Sequence, residues 1–290
     1  MVKYTAFTET NLFADLDEID AWLAERGITQ RNRLRIYRQN LLAMRERERK
    51  IGAGEVYAEA EKSGRLTEVL ASYVEGAEFV DALTTLRNRK VDIPDELLRR
   101  ALDGSPDAAL ESAKNNQGRN AMFELSIGAM IARQHFQPTL STGNPDVEFQ
   151  FENRRVLMEC KRALSEAGVL QVLEDGIHQL RKQVKSSNGV VGLIAVDISR
   201  VFYRGEGYWV APANSDVHEI LSEMIRRFLD SIGDRVLRMR EAAATGALFY
   251  AAAPFRIEGL GYTPARAGTF CAFDLNRDEF LARLATSLRL

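Results

Sequence analysis

One stretch of alternating apolar and polar residues, from Asn144 to Lys161, constrains the fold of this chain more than any other feature. Successive side chains on a β-strand point to opposite faces, so alternation over several residues indicates a strand with one buried face. The apolar positions are Val147, Phe149 and Phe151 in the first run and Val156, Met158 and Cys160 in the second. The stretch therefore predicts a β-hairpin whose apolar face covers a core.

The register of this hairpin decides which polar residues meet. A two-residue turn at Glu152-Asn153 brings the two apolar sets onto one face, whereas a slip by one residue would scatter them. In this register Asp146 lies opposite Glu159, with Cβ atoms about 4.5–5.5 Å apart. Carboxylates that close repel each other unless a cation lies between them, and Lys161 adds a positive charge on the same face. The pattern predicts a cation site, and its alternative is a solvated face with a chance pair of acids.

The rest of the chain divides into two parts by its periodicity. Residues 12–110 repeat apolar positions every three or four residues and predict four to six helices, interrupted at glycines and before Pro94. The later residues predict helices at about 118–134, 169–185 and 217–240, and strands at about 190–198, 247–253 and 269–275. We expect an α/β fold, a mixed sheet flanked by helices, after an all-helical N-terminal region. The predicted domains are residues 1–114 and 115–290.

Composition excludes several classes of protein. A net charge of -2 over 290 residues excludes a uniformly basic coat for nucleic acid, although a local basic patch remains open. The longest apolar run, residues 247–255, is far shorter than the ~20 residues that span a bilayer. Two cysteines and three scattered histidines indicate neither a disulfide framework nor a zinc site. We expect a cytoplasmic protein without a membrane partner.

The acids of the hairpin belong to a recognisable pattern. Pro145-Asp146, twelve intervening residues and then Glu159-Cys160-Lys161 resemble the signature of the PD-(D/E)XK nuclease superfamily, over about residues 118–275. The resemblance implies a restriction-endonuclease-like sheet, Mg²⁺ (or Mn²⁺) bound by the two acids and the Cys160 carbonyl, and a lysine that positions or activates water. It also implies an acid on the preceding helix and a polar residue on the following one. Glu124 matches the first of these and would complete the metal shell directly or through water. Gln179 and Gln183 match the second, and Gln179 is expected to contact the phosphate or the water.

The function that this resemblance implies is metal-dependent hydrolysis of phosphodiester bonds. DNA is the expected substrate, with RNA not excluded, and a homodimer would supply the two sites needed to cut both strands. Two alternatives stay open. One is a nucleic-acid-binding protein of the same fold with little activity, and the other is a partner-binding structural protein with incidental acids. Retention of the Asp, Glu and Lys together favours the nuclease.

A second candidate surface lies in residues 31–50, which carry eight basic and two acidic residues. In a helix, the basic residues Arg35, Arg38, Arg45 and Arg49 fall on one stripe beside an apolar stripe. The stripe is either the solvated flank of a packing helix or a surface that contacts the phosphates of nucleic acid. We also expect Lys182, on the helix after the hairpin, to contact nucleic acid.

Overall fold

The computed structural model describes residues 9–29, 31–106, 111–112, 114–184, 189–203, 207–237, 239, 244–258, 261–273 and 278–288. Within the N-terminal part of these residues the chain forms five helices: α1 (Glu9–Glu25), α2 (Asn32–Ile51), α3 (Ala53–Lys62), α4 (Leu66–Asn88) and α5 (Asp95–Leu102). The helical N-terminal region is confirmed, and its interruptions fall at the predicted glycines and before Pro94. Every helix in the described residues is too short or too polar to cross a membrane.

The remaining residues alternate between helices and strands. In chain order the elements are α6 (Gln117–Arg133), β1 (Thr139–Leu140), β2 (Val147–Phe151), β3 (Arg154–Arg162), α7 (Gly168–Val184), β4 (Val190–Asp197), α8 (Ser199–Phe202), β5 (Trp209–Ala211), α9 (Val217–Leu237), β6 (Gly246–Ile257), β7 (Gly261–Ala272) and α10 (Asp278–Leu288). The strands form one mixed seven-stranded sheet in the order β1-β2-β3-β4-β6-β5, with β7 paired to β6. Strands β1, β2 and β3 pair antiparallel, whereas β3, β4 and β6 run parallel. The expected α/β class is confirmed.

The last two large strands are longer than the sequence predicted. Strands β6 and β7 form an antiparallel hairpin of twelve residues on each side, in which Pro254 lies opposite Pro264. Proline lacks an N–H donor and is usually found at strand edges or interruptions, yet both of these prolines lie inside the hairpin. Residues 185, 240 and 275, the predicted ends of two helices and a strand, lie outside the described residues. Elements β1, β5 and α8 are too short to produce a periodic signal.

Two cores lie on opposite faces of the sheet. The first core packs Val156, Met158 and Cys160 of β3 with residues of α1, α2, α4, α5 and α6. The second core packs Leu157 of β3 with α7 and α9. Because the first core is continuous from the N-terminal helices to the sheet, both sides of the predicted boundary at residues 114 and 115 contribute to it, and the domain division stays a prediction.

Helix α4 attaches the N-terminal helices to the sheet through a row of acids. Glu75, Glu78 and Asp81 recur every three residues and so share one side of the helix, which we call the acidic stripe of α4. Glu78 accepts hydrogen bonds from Ser126 of α6 at 3.0 Å and from Tyr250 of β6 at 3.1 Å. The partners of Asp81 are Arg133 of α6, at 2.7 Å, and Arg266 of β7, at 2.8 Å. The stripe therefore bridges α6 and two strands.

Glu75 is the member of the acidic stripe that contacts two buried arginines. Its carboxylate accepts hydrogen bonds from Arg33 of α2 at 2.6 Å, from Arg119 of α6 at 2.9 Å and from the Tyr37 hydroxyl. The Arg33 side chain is only 1% exposed and that of Arg119 only 7%. Burial would raise the pKa of Glu75, but the Arg119 and Arg33 charges outweigh burial and hold the pKa at about 2. Glu75 is therefore ionised, and its one negative charge is shared by two buried guanidinium groups.

We predict that Glu75→Gln lowers the free energy of unfolding by about 3–5 kcal/mol at pH 7, because buried Arg33 loses its counter-ion and Arg119 keeps only Glu111, at 3.9 Å. Urea unfolding followed by circular dichroism measures the change. Glu68→Gln, on the same helix but 53% exposed, is the matched control, with an expected change below about 0.5 kcal/mol. Equal effects of the two substitutions would contradict a structural role for Glu75.

The depressed pKa of Glu75 also predicts how stability depends on pH. Because the folded state holds this carboxylate ionised down to about pH 2, its contribution is complete above about pH 4.5 and is lost as pH falls toward 2. The stability difference between the wild type and Glu75→Gln should therefore shrink by about 2 kcal/mol between pH 6 and pH 3. Urea unfolding at several pH values measures this, and a constant difference would contradict it.

Candidate active site

The β2–β3 hairpin has the predicted register, with Val147 opposite Met158. Asp146 immediately precedes β2, and its Oδ2 atom accepts a hydrogen bond of 2.7 Å from the backbone N–H of Cys160. This hydrogen bond holds the Asp146 carboxylate across the hairpin, beside Glu159. The two acids singled out by the sequence therefore lie together.

The ammonium group of Lys161 lies among the oxygen atoms of this pair. Its Nζ atom is 3.2 Å from Glu159 Oε2 and 3.8 Å from Asp146 Oδ2. It also donates a hydrogen bond of 3.3 Å to the carbonyl oxygen of Cys160. Three oxygen atoms thus converge on one cationic nitrogen. They are the atoms of the three residues that the resemblance implies as metal ligands.

The side of β3 that carries Glu159 is covered by α7. A methyl group at Gly176 of α7 would lie 3.0 Å from the Ile194 side chain of β4, so glycine lets the helix approach the sheet closely. Near the end of the same helix, Gln183 donates a hydrogen bond of 2.9 Å from Nε2 to Glu159 Oε1. Glu159 is completely buried, and its two oxygens are held by Gln183 and Lys161.

Of the two glutamines that match the family pattern, Gln183 is therefore the one that contacts the acid pair. The side-chain amide oxygen Oε1 of Gln179, one turn before Gln183, is enclosed and has no hydrogen-bond partner among the described residues. A role for Gln179 at the reaction centre stays a prediction. Lys182 lies beside Gln183 and is exposed to solvent, and its contact with nucleic acid also stays a prediction.

Two further charged residues reach the acid pair from helices on the other side. Glu124 of α6 is 6% exposed, and its Oε2 atom is 3.3 Å from Nη2 of Arg100 on α5. A methyl group at Gly118 would lie 2.1 Å from the Asp103 carbonyl oxygen, so glycine lets the start of α6 pack against the end of α5. Sequence reasoning missed Arg100, because a basic residue in the last turn of a short helix is ordinary.

Burial and mutual repulsion disfavour the ionised forms of the acids in this site. Burial raises the pKa of Glu124 to about 8, and the Asp146 charge adds to the effect while Arg100 and Lys161 oppose it. Burial likewise raises the pKa of Asp146, although Lys161 opposes the change. For Glu159, burial and the Asp146 charge both raise the pKa. Three acids share two cations here, so the site favours an additional positive charge.

The donor atoms of the site fit a small hard cation. Magnesium prefers oxygen ligands, and in proteins it is usually held by one or two carboxylates and water. Asp146 and Glu159 supply two carboxylates and Cys160 a carbonyl oxygen, with Glu124 nearby. Within the described part of the chain, no three or more His, Cys, Asp or Glu side chains are grouped to hold a metal ion. The ligand set here is instead two carboxylate side chains and one backbone carbonyl, and a metal ion would compete with Lys161 for these oxygens.

The basic stripe of α2 differs in availability from residue to residue. Arg38 forms an ion pair of 2.6 Å with Asp17 of α1, and the Arg45 guanidinium stacks 4.9 Å from the centre of the Phe13 ring. Arg35 and Arg49 are exposed and form no ion pair with another described residue. Two of the four predicted arginines therefore support helix packing, and two are available to a partner.

The comparisons with known proteins assign this chain to no family. No protein-family model matches the chain, and no curated protein has a significantly similar sequence.

Proposed function

We propose that this protein is a metal-dependent nuclease that hydrolyses phosphodiester bonds of DNA. The observation that carries the proposal is the convergence of the Asp146, Glu159 and Cys160 oxygens on the Lys161 ammonium. Acids are not normally buried together, because each destabilises the ionised form of the others. A divalent cation and a negatively charged substrate give such an arrangement a chemical purpose.

The elements around the site also support a restriction-endonuclease-like core. Helix α6 precedes the hairpin and carries Glu124, and α7 follows it and carries Gln183. Helix α7 connects the parallel strands β3 and β4 and covers the face of β3 that bears Glu159. This order of elements agrees with the order of motifs that suggested the nuclease superfamily.

Each residue of the site has a distinct proposed role. Asp146, Glu159 and the Cys160 carbonyl would hold Mg²⁺ or Mn²⁺, which would neutralise charge on the phosphate and lower the pKa of bound water. Lys161, once it no longer neutralises the acids, orients the attacking water or binds the phosphate. Gln183 keeps the Glu159 carboxylate in place through its hydrogen bond.

The basic stripe of α2 supports a role for this helix in binding the nucleic-acid backbone. Arg33, on the buried side of α2, donates a hydrogen bond of 2.7 Å to the Ala101 carbonyl at the end of α5. This contact joins α2 to α5. The residue before Ala101 on α5 is Arg100, which contacts Glu124. Arg35 and Arg49 would contact phosphates from the exposed side of α2. The homodimer stays a prediction.

We predict that Asp146→Asn, Glu159→Gln and Lys161→Ala each reduce nuclease activity at least about 100-fold, because each removes charge that stabilises the transition state. Activity is measured as cleavage of plasmid and single-stranded DNA with Mg²⁺ or Mn²⁺, and EDTA should abolish it. Calorimetry should also detect Mn²⁺ binding to the wild type and its loss in Asp146→Asn.

The matched control for these variants is Glu148→Gln. Glu148 lies two residues from Asp146 on the hairpin, but its carboxylate pairs with Arg155 at 2.5 Å, away from Lys161. The control should retain activity, and thermal unfolding should show that all four variants fold. Full activity in Asp146→Asn would refute the proposal. Binding of DNA without metal binding or cleavage would instead favour the weakly catalytic alternative.

A separate prediction distinguishes the arginines of α2. Replacing both Arg35 and Arg49 with Gln should weaken DNA binding for all sequences and reduce the slope of log K against log salt by about 2, because each lost phosphate contact changes the slope by about 0.9. The control, Arg38→Gln with Arg45→Gln, should change the slope less, since those side chains have partners in α1. Fluorescence anisotropy at several salt concentrations measures the affinity and its salt dependence. Equal slopes in the wild type and both double variants would show that α2 serves only in packing.

A further inference from the structure

Among the described residues of helices α1 to α5, Arg100 is the one that forms an ion pair with an acid of the candidate site. Only its Nη2 atom has a hydrogen bond there, to Glu124 at 3.3 Å. The side chain is 35% exposed, so part of it faces solvent although it lies beside a buried acid. It is thus a second cation of the site, on the side opposite α7.

The guanidinium of Arg100 also carries a donor without an acceptor. Its Nε atom is enclosed and has no hydrogen-bond partner among the described residues. Most buried polar groups in proteins are paired, and an unpaired one is unfavourable. A ligand oxygen would supply the missing acceptor if the side chain turned toward it, and the planar donors of arginine match the oxygens of a phosphate.

The charges of the site indicate what that ligand carries. A bound metal ion would favour the ionised forms of Glu124, Asp146 and Glu159, and these three negative charges exceed the two positive charges of Arg100 and Lys161 by one. A divalent metal ion converts this to one positive charge. A single phosphodiester group, which carries one negative charge, then makes the whole site neutral. Without Arg100 the metal-bound site would be neutral before the substrate arrived.

We infer that Arg100 binds the phosphodiester group that is cleaved, and that the helical N-terminal region thereby completes the active site. The inference rests on the proposed nuclease function and assigns to it a substrate-binding residue outside the motif. Two contacts hold α5 in the position that phosphate binding by Arg100 requires. The end of α5 packs against the start of α6 at Gly118, and Arg33 of α2 bonds to the neighbouring Ala101 carbonyl.

The test compares Arg100→Gln and Arg100→Lys with Arg99→Gln, whose side chain is 54% exposed on the same helix. Single-turnover cleavage of a DNA duplex at saturating enzyme, with Mn²⁺, should fall about 100-fold in Arg100→Gln and less in Arg100→Lys, and it should not change in Arg99→Gln. Mn²⁺ affinity by calorimetry should be equal or higher in Arg100→Gln, because a positive charge beside the acids has been removed. Thermal unfolding identifies any variant that fails to fold, in which case Arg100→Lys decides.

A double-variant comparison separates phosphate binding from a role through Glu124. If Arg100 binds the phosphate, Arg100→Gln should also slow cleavage in the Glu124→Gln background. Loss of its effect there would show that Arg100 acts only as a counter-ion and would overturn the inference, as would wild-type rates in Arg100→Gln. Absence of metal-dependent cleavage by the wild type would overturn the proposed function itself. An active wild type together with an equally active Arg100→Gln variant would overturn only the role of Arg100.

Discussion

The acidic stripe of α4 is the interaction on which the rest of the structure depends. Glu75, Glu78 and Asp81 bind partners on α2, α6, β6 and β7, so a single helix side joins the N-terminal helices to the far strands of the sheet. Charges and hydroxyl groups form these contacts inside a largely apolar core. Their partners must therefore be placed accurately, since a buried charge without its partner is strongly destabilising. The helical region is thus fixed on the sheet in a defined position.

The candidate site sets a second constraint, because one of its acids, Glu159, lies on a strand that is covered on both faces. Strand β3 sends Met158 and Cys160 into the first core and Leu157 into the second. Glu159 lies between these apolar positions and is fully buried, yet it carries an ionisable group. Lys161 and Gln183 compensate by holding its two oxygens. A purely structural strand would be more stable with an apolar residue at this position, so the acid is a departure from core chemistry that function explains.

The sequence predicted the local parts of this arrangement well. The hairpin register followed from alternation, and the helix ends followed from glycines and Pro94, because both signals depend on neighbouring residues only. Arg100 and the acidic stripe could not be predicted, since charged residues on helices usually face solvent and their partners are distant in the chain. Both Gln179 and Gln183 suited the helix position, and the prediction assigned the role at the reaction centre to Gln179. The hydrogen bond of Gln183 to Glu159 depends on how α7 packs on the sheet, which is a tertiary property.

The sequence separations of these contacts imply an order of difficulty in forming them. Within the site, the bonds from Cys160 to Asp146, from Arg100 to Glu124 and from Gln183 to Glu159 close loops of only 14 to 24 residues. The bonds of the acidic stripe to Tyr250 and Arg266 join residues 172 and 185 positions apart. The entropy lost on closing a loop grows with its length, and distant contacts slow folding. The candidate site is therefore built from contacts that close short loops, whereas the attachment of α4 to β6 and β7 requires segments 172 and 185 residues apart to meet.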